Sequence, residues 1–192
     1  MLERPVPASL CGTFRALAHN NAWANHRLLG ACASLSEAEF HAPRIGFFPS
    51  LALTLNHILV VDWFYVDALE GGWLGPAAFA DETPCATPAT LRTEQRAVDE
   101  RLIRVCEALT DASLDQDVRV NRSVRVQTER RDRLLLHLFQ HQIHHRGQAH
   151  AMLSGTGVAP PPLDEFFSAD EAPLRTDEFA ELGWSEARVW RG

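Results

Sequence analysis

The sequence predicts an all-α protein, with a four-helix bundle as its architecture. Three observations carry this. Apolar residues recur at helical spacing over four long stretches, strand-type alternation is confined to one short segment, and connectors rich in Gly and Pro separate the stretches. No internal repeat of about 20–50 residues is present, which sets solenoids aside. With 192 residues, 46% of them hydrophobic and 22% charged, the chain has the size and composition of one globular domain with a substantial core.

The first helix is expected from about Ala8 to Leu35, where Phe14, Leu17, Leu28, Leu29 and Cys32 fall at helical spacing. Ser34, Ser36 and Glu39 then mark a turn and a capping box. The second helix is expected from Pro49 to Glu70, stopping at Gly71-Gly72; it is apolar nearly all round, as suits a helix inside a bundle. Residues 73–88 carry one Gly and three Pro and read as a long crossover. The third helix should run from Thr87-Pro88 to about Leu109, with Leu91, Val98, Leu102, Val105 and Leu109 on a charged background. Val alternates with Arg over residues 117–128, and Asn121–Ser123 can reverse the chain, so one short hairpin is expected there. The fourth helix should span Arg131 to Ser154, ended by Gly155, Gly157 and the run Pro160-Pro161-Pro162. Residues 176–188 predict a short amphipathic C-terminal helix.

Composition removes several functions. All 18 basic residues are Arg and none is Lys, so Schiff-base chemistry, a Walker A loop and a kinase-type lysine are excluded. A net charge of −7 and a pI near 5.7 argue against a nucleic-acid partner. No uninterrupted apolar run of about 18 residues and no secretory pattern in the first thirty residues are seen, so no membrane partner and a cytoplasmic location are expected. Cys11, Cys32, Cys85 and Cys106 are far apart and are read as reduced, mostly buried side chains.

Histidine is the unusual residue. Of nine, His137, His141, His144 and His145 fall within nine positions. On a helix, residues four apart share a face, so His141 and His145 can offer two imidazoles to one ion, with His137 one turn earlier. The third ligand must come from another helix. His57 is the best candidate, because an imidazole in the apolar stretch LTLNHILVVDWF needs a partner. Gln142 stands where HExxH proteases carry their glutamate, and the Glu-x-x-His pairs of di-iron bundles are missing. Three neutral imidazoles leave the charge of a divalent ion largely uncompensated, which favours activating a bound water or thiol. Zn and Ni are the favoured ions, with Cu and Fe also suited to imidazole. No catalytic residue can be named.

The segment Leu136–Gln148 with its HQxHHRGQ block, then Met152–Gly157 and Pro161–Asp164, resembles the signature of the DinB/YfiT-like family. So do His19–Asn25, Phe47–Ser50 and Leu55–Asp62. The blocks span roughly residues 10–168 in the family's order, and the family is unrelated to the DNA polymerase sharing the name. The resemblance implies a four-helix bundle of up-down-down-up topology and a divalent metal held by His57, His141 and His145. It also implies a low-molecular-weight thiol co-substrate, since the broader superfamily uses such a metal with bacillithiol or mycothiol. His144 lies about 100° from His145 around the helix and receives no ligand role.

The neighbours of these histidines have competing readings. His137 either borders the site or packs in the bundle. Asp62 either accepts from a ligating imidazole or pairs with Arg146, the salt bridge being preferred. Gly147, costly inside a helix, suggests a close helix approach. Trp23 and Asn25 either line the pocket mouth or sit in the core, and Trp63, Phe64 and Tyr65 are core residues by default. Residues 1–168 form the expected bundle domain, and 169–192, with Trp184 and Trp190, an extension docked on the bundle or on the partner of a homodimer. The expected function is metal-dependent attack of a thiol or water on a small electrophilic substrate, of the thiol-transferase or hydrolase type. The alternative is a metal-bearing stress-response or small-molecule-binding protein without turnover.

Overall fold

The hydroxyl of Ser9 accepts from the N–H of Gly12 at 3.0 Å and starts helix α1 (Leu10–Cys32). The computed structural model describes residues 9–191, so the start expected at Ala8 lies outside the described residues. Ser36 and Glu39 close a capping box, and it opens a short helix, α2 (Glu37–His41), where only a turn was expected. Ser50 caps α3 (Leu51–Leu69), whose end passes into Gly71 at φ 86°. The crossover contains one 3-10 stretch, Gly75–Phe79. Thr87 then caps α4 (Pro88–Glu107), with Pro88 in the first turn where its missing N–H costs nothing.

After a single-turn helix, α5 (Asp111–Leu114), the hairpin forms as its alternation predicts. Strands β1 (Asp117–Asn121) and β2 (Val126–Arg130) pair antiparallel, Asp117 opposite Arg130, with Val118 and Val120 buried and Ser123 at φ 65° in the turn. Helix α6 (Arg131–Leu153) follows directly. The single C-terminal helix expected over residues 176–188 is corrected to two, α7 (Thr176–Leu182) and α8 (Glu186–Arg191). Gly183 breaks it by adopting φ 71°, a conformation glycine takes without strain.

The protein is thus mostly helical. The four long helices contact one another pairwise, α1 with α4 and α6, and α3 with α4 and α6. Leu28, Leu51, Leu59, Leu91, Leu102 and Leu135 lie at the centre of the apolar cluster between them. Helix α3 is the one helix among the described residues long and apolar enough to cross a membrane, and 78% of its apolar window is buried within the protein. Cys32, Cys85 and Cys106 are buried free thiols, and burial pushes Cys32 and Cys106 up to about 12, too high for thiolate chemistry at neutral pH.

A second apolar cluster joins Phe166, Phe179 and Val189 to Ala16 and Trp23 of α1. Trp23 is fully buried there, so it is a core residue and not a pocket lining. Arg27 lies 4.2 Å over the Trp23 ring and reaches Glu178 at 2.7 Å and Glu165 at 2.8 Å. The buried Arg175 holds Glu186 through two bonds of 2.8 and 3.0 Å. Such two-pronged pairs fix geometry as well as adding energy.

Gly147 departs from expectation. A Cβ built on it meets nothing within 4 Å, so no neighbouring helix of the described residues requires a glycine there. Gly147→Ala is therefore expected to stabilise the protein by about 0.5–1 kcal/mol, read as a higher denaturation midpoint. A fall in the midpoint would contradict the open surface.

Candidate metal centre

The three imidazoles are brought together from two helices. His57 sits on α3, and His141 and His145 lie one turn apart on α6, a helix packed against α3. His57 Nε2 is 3.1 Å from His141 Nε2, and one ring nitrogen from each residue falls within 4.8 Å of the others. Ligands of a tetrahedral zinc with Zn–N bonds of about 2.0–2.1 Å are about 3.3–3.4 Å apart, so the cluster is near the size such an ion needs. Nδ1 of His141 is buried with no hydrogen-bond partner in the described structure.

The electrostatics favour neutral rings. Burial, then the nearby His145, pushes His57 down to about 4. Burial and the surrounding histidines push His141 down to about 3. His145 is lowered by burial, against the opposing effect of its bond to Gln148. Neutral imidazoles present lone pairs, the form that binds a metal. The ring of Phe48 stacks 4.3 Å from His57 and 5.7 Å from His145 and walls the cluster on one side.

Gln148 orients the pair's second ring. The Nδ1–H of His145 donates to its amide oxygen at 2.8 Å, leaving the Nε2 lone pair of His145 free. The Gln148 amide nitrogen in turn lies 3.2 Å from Nε2 of the exposed His144, which stays outside the cluster as its helical angle predicts. Gln148→Ala should lower metal affinity by roughly 10–100-fold while leaving the helix content unchanged, as measured by competition with a chelator. An unchanged affinity would remove Gln148 from the site.

Below the histidines a buried polar network ties all four long helices. Asp99 of α4 accepts from Asn21 and Asn25 of α1 at 3.0 Å and from Gln95 at 3.2 Å. Asp62 of α3 accepts from Gln95 at 2.7 Å and from Gln142 of α6. Arg146 of α6 donates to the amide oxygens of Asn21, of Asn25 at 3.1 Å and of Gln142 at 3.5 Å. Three amides thus face the guanidinium with oxygen and the carboxylates with nitrogen. No direct Asp62–Arg146 ion pair forms among the described residues, and Asp62 does not receive a ligating imidazole; both sequence readings of Asp62 are corrected. The charges meet through Asn and Gln dipoles. Because Gln142 and Arg146 are each one residue from a histidine, the network sets the rotation of α6 that aims His141 and His145 at His57.

Burial pushes Asp99 up to about 7 and raises Asp62, while it lowers Arg146 to about 10. The folded Asp99 keeps a proton that the unfolded chain has already lost above its ordinary value of 3.8. Its contribution to stability is present at the acid end and is lost as pH rises towards 7. Asp62→Asn leaves one carboxylate for one guanidinium. Its stability, from urea melts, should vary less between pH 4 and 8 than that of the wild type; an equal or steeper dependence would contradict this assignment.

The remaining sequence candidates fall elsewhere. His137 is exposed, outside the cluster, with its ring 5.3 Å from that of Tyr65. Asn25, Asp99 and Trp184 line a cavity of about 310 Å³ between α1, α4 and the C-terminal segment, whose lining includes His26 but not His57, His141 or His145. Asn25 thus lines a cavity that the three histidines do not border. The sequence alone assigns no role to Phe48, Gln148, Gln95 or Asp99. The spacing of His145 and Gln148, three apart on one helix, was the available signal for Gln148.

Helices that bring three histidines together around a polar core define a class of helical, candidate metal-binding protein. The DinB family model matches residues 10–179, and the chain belongs to the DinB family. Protein DinB of Bacillus subtilis (strain 168) is 26% identical over 152 residues, 75% of this chain and 86% of that protein. Among solved structures, a DinB-like protein from Bacillus cereus ATCC 10987 aligns with a TM-score of 0.59 at 16% identity, over 75% of this chain and 91% of its own. A DinB-like protein from Bacillus subtilis aligns with a TM-score of 0.56 at 17% identity, over 80% and 96%. At these identities the structural likeness concerns the fold.

Proposed function

We propose that His57, His141 and His145 hold one divalent metal ion, Zn or Ni, and that the protein uses it to activate a thiol or water against a small electrophilic molecule. The observation that carries this is the convergence of three neutral imidazoles within 4.8 Å, from two helices, in a member of the DinB family. A bound ion supplies Lewis acidity, lowering the pKa of a coordinated thiol or water. The chain's own residues do the rest. Gln148 holds the His145 ring, the buried network fixes α6, and Phe48 packs against one side of the cluster.

The same reading takes the four long helices as an up-down-down-up bundle over residues 1–168, with 169–192 as an extension. It takes the protein as cytoplasmic and homodimeric, acting on a small molecule with no nucleic-acid or membrane partner. One observation favours the alternative of metal binding without turnover: the described hydrogen-bond and ring contacts of the three histidines include no carboxylate to serve as acid or base. The deciding experiment measures consumption of small thiols, and hydrolysis of activated esters, by Zn- and Ni-loaded protein against the metal-stripped protein. Metal-dependent turnover, lost in His57→Ala, supports the enzyme; metal binding with no turnover across both panels supports the alternative.

A further inference from the structure

One cluster of polar side chains near the histidines has no role in holding them. The hairpin carries Arg122 against α3, where its Nη2 donates to the Tyr65 hydroxyl at 2.9 Å and its Nε to the Gln127 amide oxygen at 2.9 Å. Its guanidinium lies 4.9 Å over the Phe64 ring and 5.5 Å over that of Tyr65. These contacts are to neutral groups. Among the described residues Arg122 has no carboxylate partner, and two of its five N–H donors are engaged, leaving three. Tyr65, itself buried, accepts from Arg122 and has its own O–H proton unassigned.

Arg122 and Tyr65 open into a cavity of about 210 Å³ completed by Gln127, Glu129, Arg133 and His137. Glu129 is already matched by Arg133 at 3.4 Å. One positive charge is left over. His137 connects this cavity to the histidine cluster: its ring is 5.3 Å from Tyr65, and it precedes His141 by one helical turn, about 6 Å.

We propose, resting on the metal-site reading above, that Arg122 and Tyr65 bind a carboxylate of the substrate or of its thiol co-substrate, so that this protein acts on carboxylate-bearing small molecules. A planar guanidinium fork with free N–H donors matches a carboxylate, and the phenol adds a third donor. The single uncompensated charge, beside the Glu129 carboxylate, suits a monoanionic group over a phosphate dianion. Stacking on Phe64 and Tyr65 fixes the fork in advance, which lowers the ordering cost of binding. The carboxylate would sit roughly one to two helical turns, about 6–11 Å along α6, from the histidine cluster.

The test is a titration of the full-length protein, metal-loaded and metal-stripped, followed by NMR at the Arg122 Nε–H and the Tyr65 ring. The probes are succinate, its neutral analogue succinamide, and inorganic phosphate. Saturable shifts at both groups with succinate and none with succinamide are expected. Arg122→Gln should weaken succinate by about tenfold or more. Tyr65→Phe keeps the packed ring, serves if Arg122→Gln fails to fold, and should weaken it about three- to tenfold. Binding indifferent to both substitutions, no saturable shift at Arg122, or a preference for phosphate would overturn the proposal. His141→Ala separates the two claims, since it should lose the metal and keep succinate. A protein that binds succinate but no metal would refute the metal site alone.

Discussion

Arg146→Met should destabilise the protein by about 3–5 kcal/mol, the largest loss expected from any single substitution here. Among the described residues the guanidinium is the only cation in a buried network containing two carboxyl groups, and it orders Asn21, Asn25 and Gln142 with their oxygens inward. Methionine fills much of its volume but leaves those three amide oxygens without a donor and removes the charge that favours the ionised forms of Asp62 and Asp99. The loss should be read from urea denaturation at pH 8, above the value of about 7 to which burial raises Asp99. It should also be strongly non-additive. With Asp62→Asn and Asp99→Asn in the same chain no charge remains to balance, and much of the stability lost on removing Arg146 should return. Equal losses with and without the Asp substitutions would show that Arg146 acts by packing alone. Because α6 carries both Arg146 and two of the histidines, the single variant should also lose metal affinity while its ligands are intact.

His141→Ala should lower metal affinity by more than the roughly 10–100-fold typical of a residue that only orients a ligand. His141 is in contact with both of the others, its Nε2 3.1 Å from that of His57 and its ring 4.4 Å from that of His145. Removing it leaves two imidazoles on different helices, too few for a structural or catalytic zinc site. Alanine is the best helix former, and His141 is only partly buried, so the fold should survive. Competition with a chromophoric chelator, beside far-UV circular dichroism, separates lost ligation from lost structure. Retained affinity would reject His141 as a ligand.

Much of this was legible in the sequence because the signals were local. The apolar run of α3 with its Pro and Gly boundaries, the Val alternation of the hairpin, and the i, i+4 spacing of His141 and His145 each follow from neighbours along the chain. His57 was legible as the one imidazole in an apolar helix. What escaped depends on partners far apart in sequence. Asp99 and Gln95 sit among the many charges of α4 and read as part of a solvated face until α1 and α6 cover them. Asp62 read as one half of a salt bridge, because sequence gives no sign that Gln142 would stand between it and Arg146. Gly147 suggested a close approach that the described packing does not contain. Gly183 was available as a helix break, but its effect on the C-terminal helix depended on adopting a left-handed conformation.

The central claim is that three histidines from two helices make one metal site, and elemental analysis of protein purified without a histidine tag tests it most directly. About one divalent ion per chain in the wild type, and little or none in a folded His57→Ala variant, is the predicted result. No metal in a folded wild type after supplementation with Zn or Ni, or full retention in His57→Ala, would contradict it.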